Sequence, residues 1–75
     1  MLLPDLQDGA HATVQRVSAA SPETDESTLR RLAELGFIPG EPLQLLRREP
    51  LAVRVGDSLF ALRLLEARCI EVVPA

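Results

Sequence analysis

The sequence predicts a mainly β protein, a small barrel of about five short strands with one α-helix inserted after the first strand. Short runs of alternating apolar and polar residues recur between turn signals, which is typical of half-buried strands. Only residues 21–35 space their apolar side chains as a helix does. A chain of 75 residues forms a single domain, 1–75, and closing its sheet into a barrel would remove open sheet edges.

The first strand is expected to begin near Ala12, after a short apolar lead-in at residues 3–9. Ala12 and Val14 alternate with polar residues, which indicates a strand with one buried face. Val14 and Val17 lie three positions apart, so a bulge or a strand end is expected near Arg16.

The helix has two alternative starts. Ser21 can cap a helix that begins at Pro22, or Thr24 and Asp25 can cap a later start. Acidic residues crowd the first turn, where the helix dipole favours negative charge. Glu34 is expected to face solvent and to pair with one of its neighbours Arg30 and Arg31. The apolar stripe that should face the core comprises Leu29, Leu32, Ala33 and Leu35.

The sequence Gly-Phe-Ile-Pro-Gly predicts a structural corner that ends the helix and starts the next strand. Gly36 stands where a helix favours a left-handed residue just past its end, and Phe37 should then fold back onto Leu32. Pro39 and Gly40 suit the two central positions of a type II turn, because proline fixes the first φ and glycine supplies the positive second one.

The second half of the chain predicts the remaining strands. A strand is expected from Pro42 to Arg48, and a second follows the Glu49-Pro50 turn, with inward residues Leu51, Val53 and Val55. After the turn at residues 56–58, one face of the next strand carries either Phe60 and Leu62 or Leu59 and Ala61. Residues 64–67 fit a single helical turn, and the last strand carries Ile70 and Val72.

Composition and charge limit the classes of function. Apolar residues make up 47% of the chain, which excludes a disordered polypeptide. The net charge is −3, whereas domains that bind nucleic acid are usually basic. Residues 1–5 lack the positive region of a secretory signal, and the apolar stretch 59–65 is too short to span a bilayer. These observations predict a soluble, cytoplasmic protein without membrane insertion, too small for a deep catalytic cleft and therefore not an enzyme.

His11 and Cys69 are the side chains best suited to a transition metal. The first and last strands of a barrel can be neighbours, so a pair is geometrically allowed, but one His and one Cys make an incomplete site. The favoured interpretation is that Cys69 is a small strand residue and His11 a solvated turn residue. No third group would orient a Cys–His nucleophile. We therefore predict no metal ligands, no catalytic residues and no cofactor.

Other ligands common to small barrels need aromatic rings that this chain lacks. Its only aromatic residues are Phe37 and Phe60, which are expected in the core. Without Trp or Tyr the chain cannot form the aromatic-lined groove that binds proline-rich peptides. Single-stranded nucleic acid would need stacking rings and a positive groove. The glycine-rich corner follows a helix instead of preceding one, so it is no phosphate loop.

The ordered series of these motifs resembles the FeoA family, ferrous iron transport protein A, whose fold is a small SH3-like barrel. The resemblance runs along the whole chain and is strongest in Arg31-Leu32, Glu34-Leu35-Gly36-Phe37 and Pro39-Gly40. It continues in Ala61-Leu62-Arg63 and at Ala67, Ile70 and Val72. The chain departs from the family between the second and third strands. Members often carry a longer loop there, with Gly-Asp-Pro or similar, whereas here Arg48-Glu49-Pro50 makes the turn alone.

This resemblance implies an accessory or regulatory role beside FeoB, the membrane ferrous iron transporter with a cytosolic GTPase domain. The role would be exercised by protein–protein contact. The same barrel also resembles the C-terminal domain of iron-dependent repressors, so a stand-alone regulatory barrel that works with a metal-dependent repressor is an alternative. A weak carrier of transition metal ions is a third. The sequence does not indicate an oligomeric state.

A partner-binding surface is predicted on the second and third strands. If Leu43 and Leu45 point into the core, alternation turns Leu46 outward. An apolar spot ringed by arginines would suit an acidic, amphipathic segment of a partner. The alternatives are a solvated barrel face and a Leu46 buried through a bulge or beneath the helix. The predicted surface comprises Leu46, Arg47, Arg48 and Arg54.

Overall fold

The computed structural model describes all residues, 1–75, and contains one antiparallel sheet of five strands. The strands are β1 (His11–Val17), β2 (Pro42–Arg48), β3 (Leu51–Val55), β4 (Ser58–Ala61) and β5 (Ile70–Pro74). Their order across the sheet is β4-β3-β2-β1-β5, and the sheet curls into a small barrel. The outermost strands, β4 and β5, do not pair with each other. The barrel therefore keeps two sheet edges, and the complete closure expected from the sequence is wrong.

Helical structure is not confined to the segment after the first strand. Helix α1 (Glu26–Leu35) follows β1 as predicted, and α2 (Leu64–Ala67) is a single turn between β4 and β5. A 3₁₀ turn, Leu3–Asp5, precedes β1. None of these helices has the length and apolar character needed to cross a membrane.

Strand β1 connects the last strand of the chain to the rest of the sheet, because it pairs with β2 on one side and β5 on the other. Its residues 11–13 pair with β2, and its residues 12–17 pair with β5. The register with β5 shifts between Val14 and Arg16, which is the bulge expected from the spacing of Val14 and Val17. The extra residue changes the face that the following side chains occupy, so both valines contact the core.

The core is built almost entirely from aliphatic side chains. All 16 buried residues are apolar, and no polar or charged residue is buried. Alternation along β2 and β3 points Leu43, Leu45, Leu51, Val53 and Val55 inward, as predicted. On β4 the half-buried Phe60 packs against the core, whereas Leu59 is 61% exposed. Phe60 and Leu62 therefore form the inward face of this segment.

Helix α1 begins at the later of its two alternative starts. Asp25 is the N-cap, and its Oδ1 accepts hydrogen bonds of 2.9 Å from the Thr28 N–H and from the hydroxyls of Ser27 and Thr28. The pKa of Asp25 lies below its ordinary value, mainly because the Thr28 N–H stabilises the ionised carboxylate. Ser21 lies outside the helix, and its N–H donates to Thr24 Oγ1.

Two details of the predicted helix surface are wrong. Ala33 is exposed, so the apolar stripe that packs on the core is Leu32 with the half-buried Leu29 and Leu35. Glu34 forms no ion pair with Arg30 or Arg31, and Arg31 instead binds Glu66 of α2. An ion pair between elements 35 positions apart depends on the tertiary fold, and helical spacing alone cannot reveal it.

The end of α1 forms a two-bond helix cap. Gly36 has φ 114°, in the left-handed region, and its N–H donates to the Ala33 carbonyl at 3.0 Å. The N–H of Phe37 donates to the Leu32 carbonyl at 3.1 Å. These two bonds define a Schellman motif, and the side chain of Phe37 is buried in the core beyond it.

The turn after the cap places β2 beside β1. Gly40 has φ 93°, and Glu41 donates its N–H to the Ile38 carbonyl at 2.9 Å, as in a type II turn. The N–H of Gly40 also donates to the Val14 carbonyl at 2.8 Å, and the N–H of Val14 donates to the Glu41 carbonyl at 2.9 Å. The corner is thus hydrogen-bonded directly to β1, which sets the position from which β2 starts.

Candidate partner-binding surface

Leu46 occupies a β-bulge in β2. Leu45 pairs with Val53 and Arg47 pairs with Ala52, so Leu46 has no partner on β3. Simple alternation predicts that Leu46 points outward beside Arg48. The bulge is the one named in the alternative interpretation of Leu46: the extra residue interrupts the alternation, leaves Leu46 half-buried and puts Arg47 opposite Ala52 on the outer face.

A shallow apolar recess of about 340 Å³ lies on the outer face of β2, β3 and β4. Cross-strand register explains its composition, because Ala52 pairs with Ala61 and directly paired side chains share one face of a sheet. Leu59 is the largest exposed contribution. The recess is lined by Leu46, Arg47, Ala52, Leu59, Phe60 and Ala61.

Two of the predicted arginines flank this recess. Arg47 lines it directly, and Arg54 lies opposite Leu59 in the register of β3 and β4. Neither guanidinium forms a salt bridge within the chain. The surface is therefore apolar at its centre and carries unpaired positive charge at its margin.

Arg48 belongs to a different part of the surface. Its Nε lies 3.5 Å from Asp8 Oδ1, in a polar recess that also includes Pro4, Glu49 and the same Arg47 that lines the apolar recess. Arg47 borders both recesses, so Arg48 adjoins the apolar recess through Arg47 but lies outside its lining. Leu46, Arg47 and Arg54 lie on one face of the barrel, and Arg48 lies near the N-terminal turn.

The sequence interpretation missed Leu59 and its neighbours on β4. Alternation left two faces open for this strand, and Leu59 with Ala61 was one of them. The two-residue turn at Gly56-Asp57 pairs Val55 with Ser58 and therefore places Leu59 opposite the exposed Arg54. A two-residue turn at Gly56-Asp57 already implies that Leu59 pairs with Arg54. Because an arginine on a strand usually faces solvent, this pairing was the available signal that Leu59 faces outward.

His11 and Cys69 lie at opposite ends of the β1–β5 ladder. Ala12 pairs with Pro74 at one end, and Val17 pairs with Ile70 at the other. Five residues of extended strand separate these ends by roughly 16 Å, so the two side chains cannot share a metal ion. The Cys69 thiol is buried and donates to the Leu65 carbonyl at 3.4 Å. No group of three or more His, Cys, Asp and Glu residues is arranged to hold a metal ion.

An exposed ion pair joins β1 to β5. Arg16 Nε lies 2.8 Å from Glu71 Oε2, and Arg16 Nη2 lies 3.3 Å from Glu71 Oε1. The hydrogen bonds from Arg16 hold the pKa of Glu71 below its ordinary value, and the same contact raises the pKa of Arg16. Both partners are satisfied by each other, so this charged site differs from the unpaired arginines beside the apolar recess.

Comparison with known proteins places these features in a family. The family model for the FeoA domain matches residues 1–74. The FeoA protein of Stenotrophomonas maltophilia, solved with zinc, is 38% identical with a TM-score of 0.86, over 97% of this chain and 89% of that one. It is described as a procaryotic SH3 domain protein and a candidate activating factor of ferrous iron transport. The FeoA protein of Chlorobium tepidum is 32% identical with a TM-score of 0.81, over 96% of this chain and 68% of that one.

The barrel is also similar to part of a longer protein. A manganese-dependent transcriptional repressor is 29% identical, with a TM-score of 0.83, over 100% of this chain but only 41% of the repressor. Among curated proteins there is no significant match. The solved structures confirm the SH3-like fold that the sequence resemblance implies.

Proposed function

The chain belongs to the FeoA family, a family of accessory proteins of ferrous iron transport, and on this premise we propose that it regulates a FeoB-type membrane transporter by binding it. The action is non-catalytic and takes place on the cytosolic part of the transporter. Binding energy comes from protein–protein contact, and no bound metal takes part in the contact surface.

One observation carries this proposal beyond family membership. The outer face of β4 exposes 61% of Leu59 beside the half-buried Leu46, and the unpaired Arg47 and Arg54 lie at the margin. An apolar centre with positively charged surroundings is the arrangement expected of a surface that binds an acidic, partly apolar partner. A single exposed leucine would carry no such conclusion.

A second candidate function follows from the similarity to the manganese-dependent repressor. In that function the barrel binds a metal-dependent repressor and substitutes for, or competes with, a barrel domain of the repressor. The same outer face of β4 is available for it. The two candidates differ only in the partner, so an experiment that identifies the partner separates them.

The test is co-purification with two defined partners. The tagged chain is incubated with a detergent-solubilised FeoB-type transporter and, separately, with a purified metal-dependent repressor. We expect the transporter to co-purify in constant proportion over repeated washes while the repressor is lost. Retention of the repressor alone would establish the second function, and loss of both would refute the proposed one.

A further inference from the structure

One edge of the sheet is covered by another segment of the chain, and the other edge is open. On β5, the N-terminal segment covers the edge: Leu2 forms a bridge with Glu71, and the N–H of Val72 donates to the Met1 carbonyl at 2.7 Å. Strand β4 pairs only with β3. Exposed sheet edges are sites for the addition of another strand, and natural proteins usually cover them.

The hydrogen-bonding groups that β4 leaves free can be assigned. The N–H of Leu62 donates to the Leu51 carbonyl at 3.0 Å, so these two residues form a hydrogen-bonded pair. Antiparallel pairs alternate between bonded and non-bonded, so Ala61 opposite Ala52, and Leu59 two residues earlier, are non-bonded. The N–H and C=O of Leu59 and Ala61 therefore point away from β3, toward the open edge.

The side chains of β4 do not protect this edge. Its sequence, Ser-Leu-Phe-Ala, contains no charge and no proline, which are the usual means of blocking strand addition. Ser58, Leu59 and Ala61 are exposed, and only Phe60 is turned to the core. The edge thus offers two free backbone positions together with apolar side chains.

A recess borders the edge on each side. The apolar recess with Leu46 and Leu59 lies on the outer face. A polar recess of about 370 Å³ lies on the side of α1 and is lined by Ser27, Thr28, Arg31, Ala61, Arg63 and Glu66. Ala61 borders both recesses. Successive side chains of a strand point to opposite faces, so a strand added to β4 would direct alternate side chains into the two recesses.

We propose that the open edge of β4 binds an extended segment of a partner protein in which apolar and acidic residues alternate. The apolar side chains enter the recess beside Leu46 and Leu59, and the acidic ones face the guanidinium of Arg63. Charge complementarity determines this choice, because Arg63 forms no salt bridge within the chain and the acid beside it, Glu66, is already bound to Arg31. This inference extends the proposed function by assigning the docking surface and the chemistry of the docked segment.

The register of the added strand makes a specific prediction about its backbone. The segment adds antiparallel to β4, as all strand pairs of this sheet do, so the residues that hydrogen-bond to Leu59 and Ala61 are paired with them and place their side chains on the same outer face. These are the apolar residues of the segment. Its apolar residues therefore direct their N–H groups to β4, and its acidic residues direct theirs away.

The experiment titrates the ¹⁵N-labelled chain with a short acetylated and amidated peptide that alternates valine and glutamate. We expect the amide signals of Leu59 and Ala61 to shift and their hydrogen exchange to slow. A matched peptide with lysine in place of glutamate should bind more weakly, by roughly tenfold or more. N-methylation of the valine amides should abolish binding, whereas N-methylation of the glutamate amides should preserve it.

Several outcomes would overturn the inference. They are shifts confined to residues away from β4, equal binding of the lysine peptide, and equal effects of the two N-methylated peptides. The variant Leu59→Glu, which keeps the backbone N–H, should lose the peptide while its spectrum stays folded, and retained binding would contradict the proposal. Sedimentation that shows wild-type dimers and monomeric Leu59→Glu would assign the edge to a second copy instead. No transporter is needed, so this result and the co-purification result can fail independently.

Discussion

The ring of Phe37 packs against the ring of Phe60, with centroids 6.2 Å apart and planes tilted by 53°. Phe37 belongs to the corner that ends α1, and Phe60 belongs to the edge strand β4. The contact therefore ties the inner face of β4 to the end of the helix. Because side chains alternate along a strand, the same contact turns Leu59 outward, onto the face that we assign to a partner.

Replacing Phe37 by leucine should destabilise the domain more than replacing Phe60 by leucine. Phe37 is 1% exposed, whereas Phe60 is only partly buried. We expect Phe37→Leu to lower the free energy of unfolding by about 1–3 kcal/mol and Phe60→Leu by less, because the cost scales with the buried volume removed. Urea denaturation of both variants measures this difference. Equal losses of unfolding free energy in the two variants would contradict the expectation that the cost follows the buried volume removed.

Gly36→Ala should destabilise the domain through backbone conformation. A Cβ at this position would meet only Val55, at 3.8 Å, which is an ordinary contact, so the cost comes from φ 114°. We expect a loss of about 1 kcal/mol or more, or about 4–8 °C in melting temperature for a domain of this size. Gly36→Asn is the matched control, because asparagine tolerates the left-handed region and should lose less. A Gly36→Ala variant that melts with the wild type would contradict this explanation.

The corner was predictable because local backbone rules determine it. A glycine after a helical stripe and a Pro-Gly pair before a strand restrict φ irrespective of distant residues, and the structure shows positive φ at Gly36 and Gly40. The inward faces of β2 and β3 were predictable for a similar reason, since strict alternation of apolar residues leaves one consistent face. Family resemblance added the fold type but no contact between particular residues.

The candidate surface was only partly predictable, because it depends on register and on long-range contacts. A bulge at Leu46 moves the following residues to the other face, and the alternation of apolar residues in β2 could not choose between this alternative and an outward Leu46. The partner of Arg31 lies on α2, far along the chain, so helical spacing favoured Glu34 wrongly. Closure of the barrel was also expected, yet β4 remains an open edge, because sequence patterns do not show which strands meet.

Acid should weaken the domain through Asp25, whose pKa in the folded state is below its ordinary value. A carboxylate whose pKa is lowered by folding stabilises the fold at pH values above its unfolded-state pKa of about 3.9. This contribution is lost as the pH falls through the pKa of the folded state. Asp25→Asn should cap α1 without titrating. We expect the stability difference between wild type and Asp25→Asn to be constant at neutral pH and to fall below about pH 4.

The measurement is urea denaturation of both proteins across that range of pH. Glu71→Gln serves as a second probe, because the pKa of Glu71 is also lowered, here by Arg16. The stability difference between wild type and Glu71→Gln should fall over the same acidic range of pH. Profiles that stay parallel down to the most acidic point would show that neither carboxylate gains from its hydrogen bonds in the folded state.

Folding should not require a metal ion. The buried residues are all apolar, and the only cysteine and the only histidine lie at opposite ends of the β1–β5 ladder. Metal binding would therefore contribute nothing to the folding free energy. We expect the circular dichroism spectrum and the melting temperature to be unchanged by a chelator. A large loss of structure on chelation would favour the carrier of transition metal ions over the proposed regulator of a transporter.

The most direct test of the docking surface is capture of a FeoB-type transporter by Leu59→Glu and by Val73→Glu. Leu59 is 61% exposed on the open edge of β4, and Val73 is 51% exposed on β5, so each change replaces an exposed apolar strand residue with glutamate. Both variants should melt like the wild type. We predict that Leu59→Glu loses affinity for the transporter by roughly tenfold or more while Val73→Glu binds as the wild type does. Undiminished capture by a folded Leu59→Glu would contradict the assignment of this face to the partner.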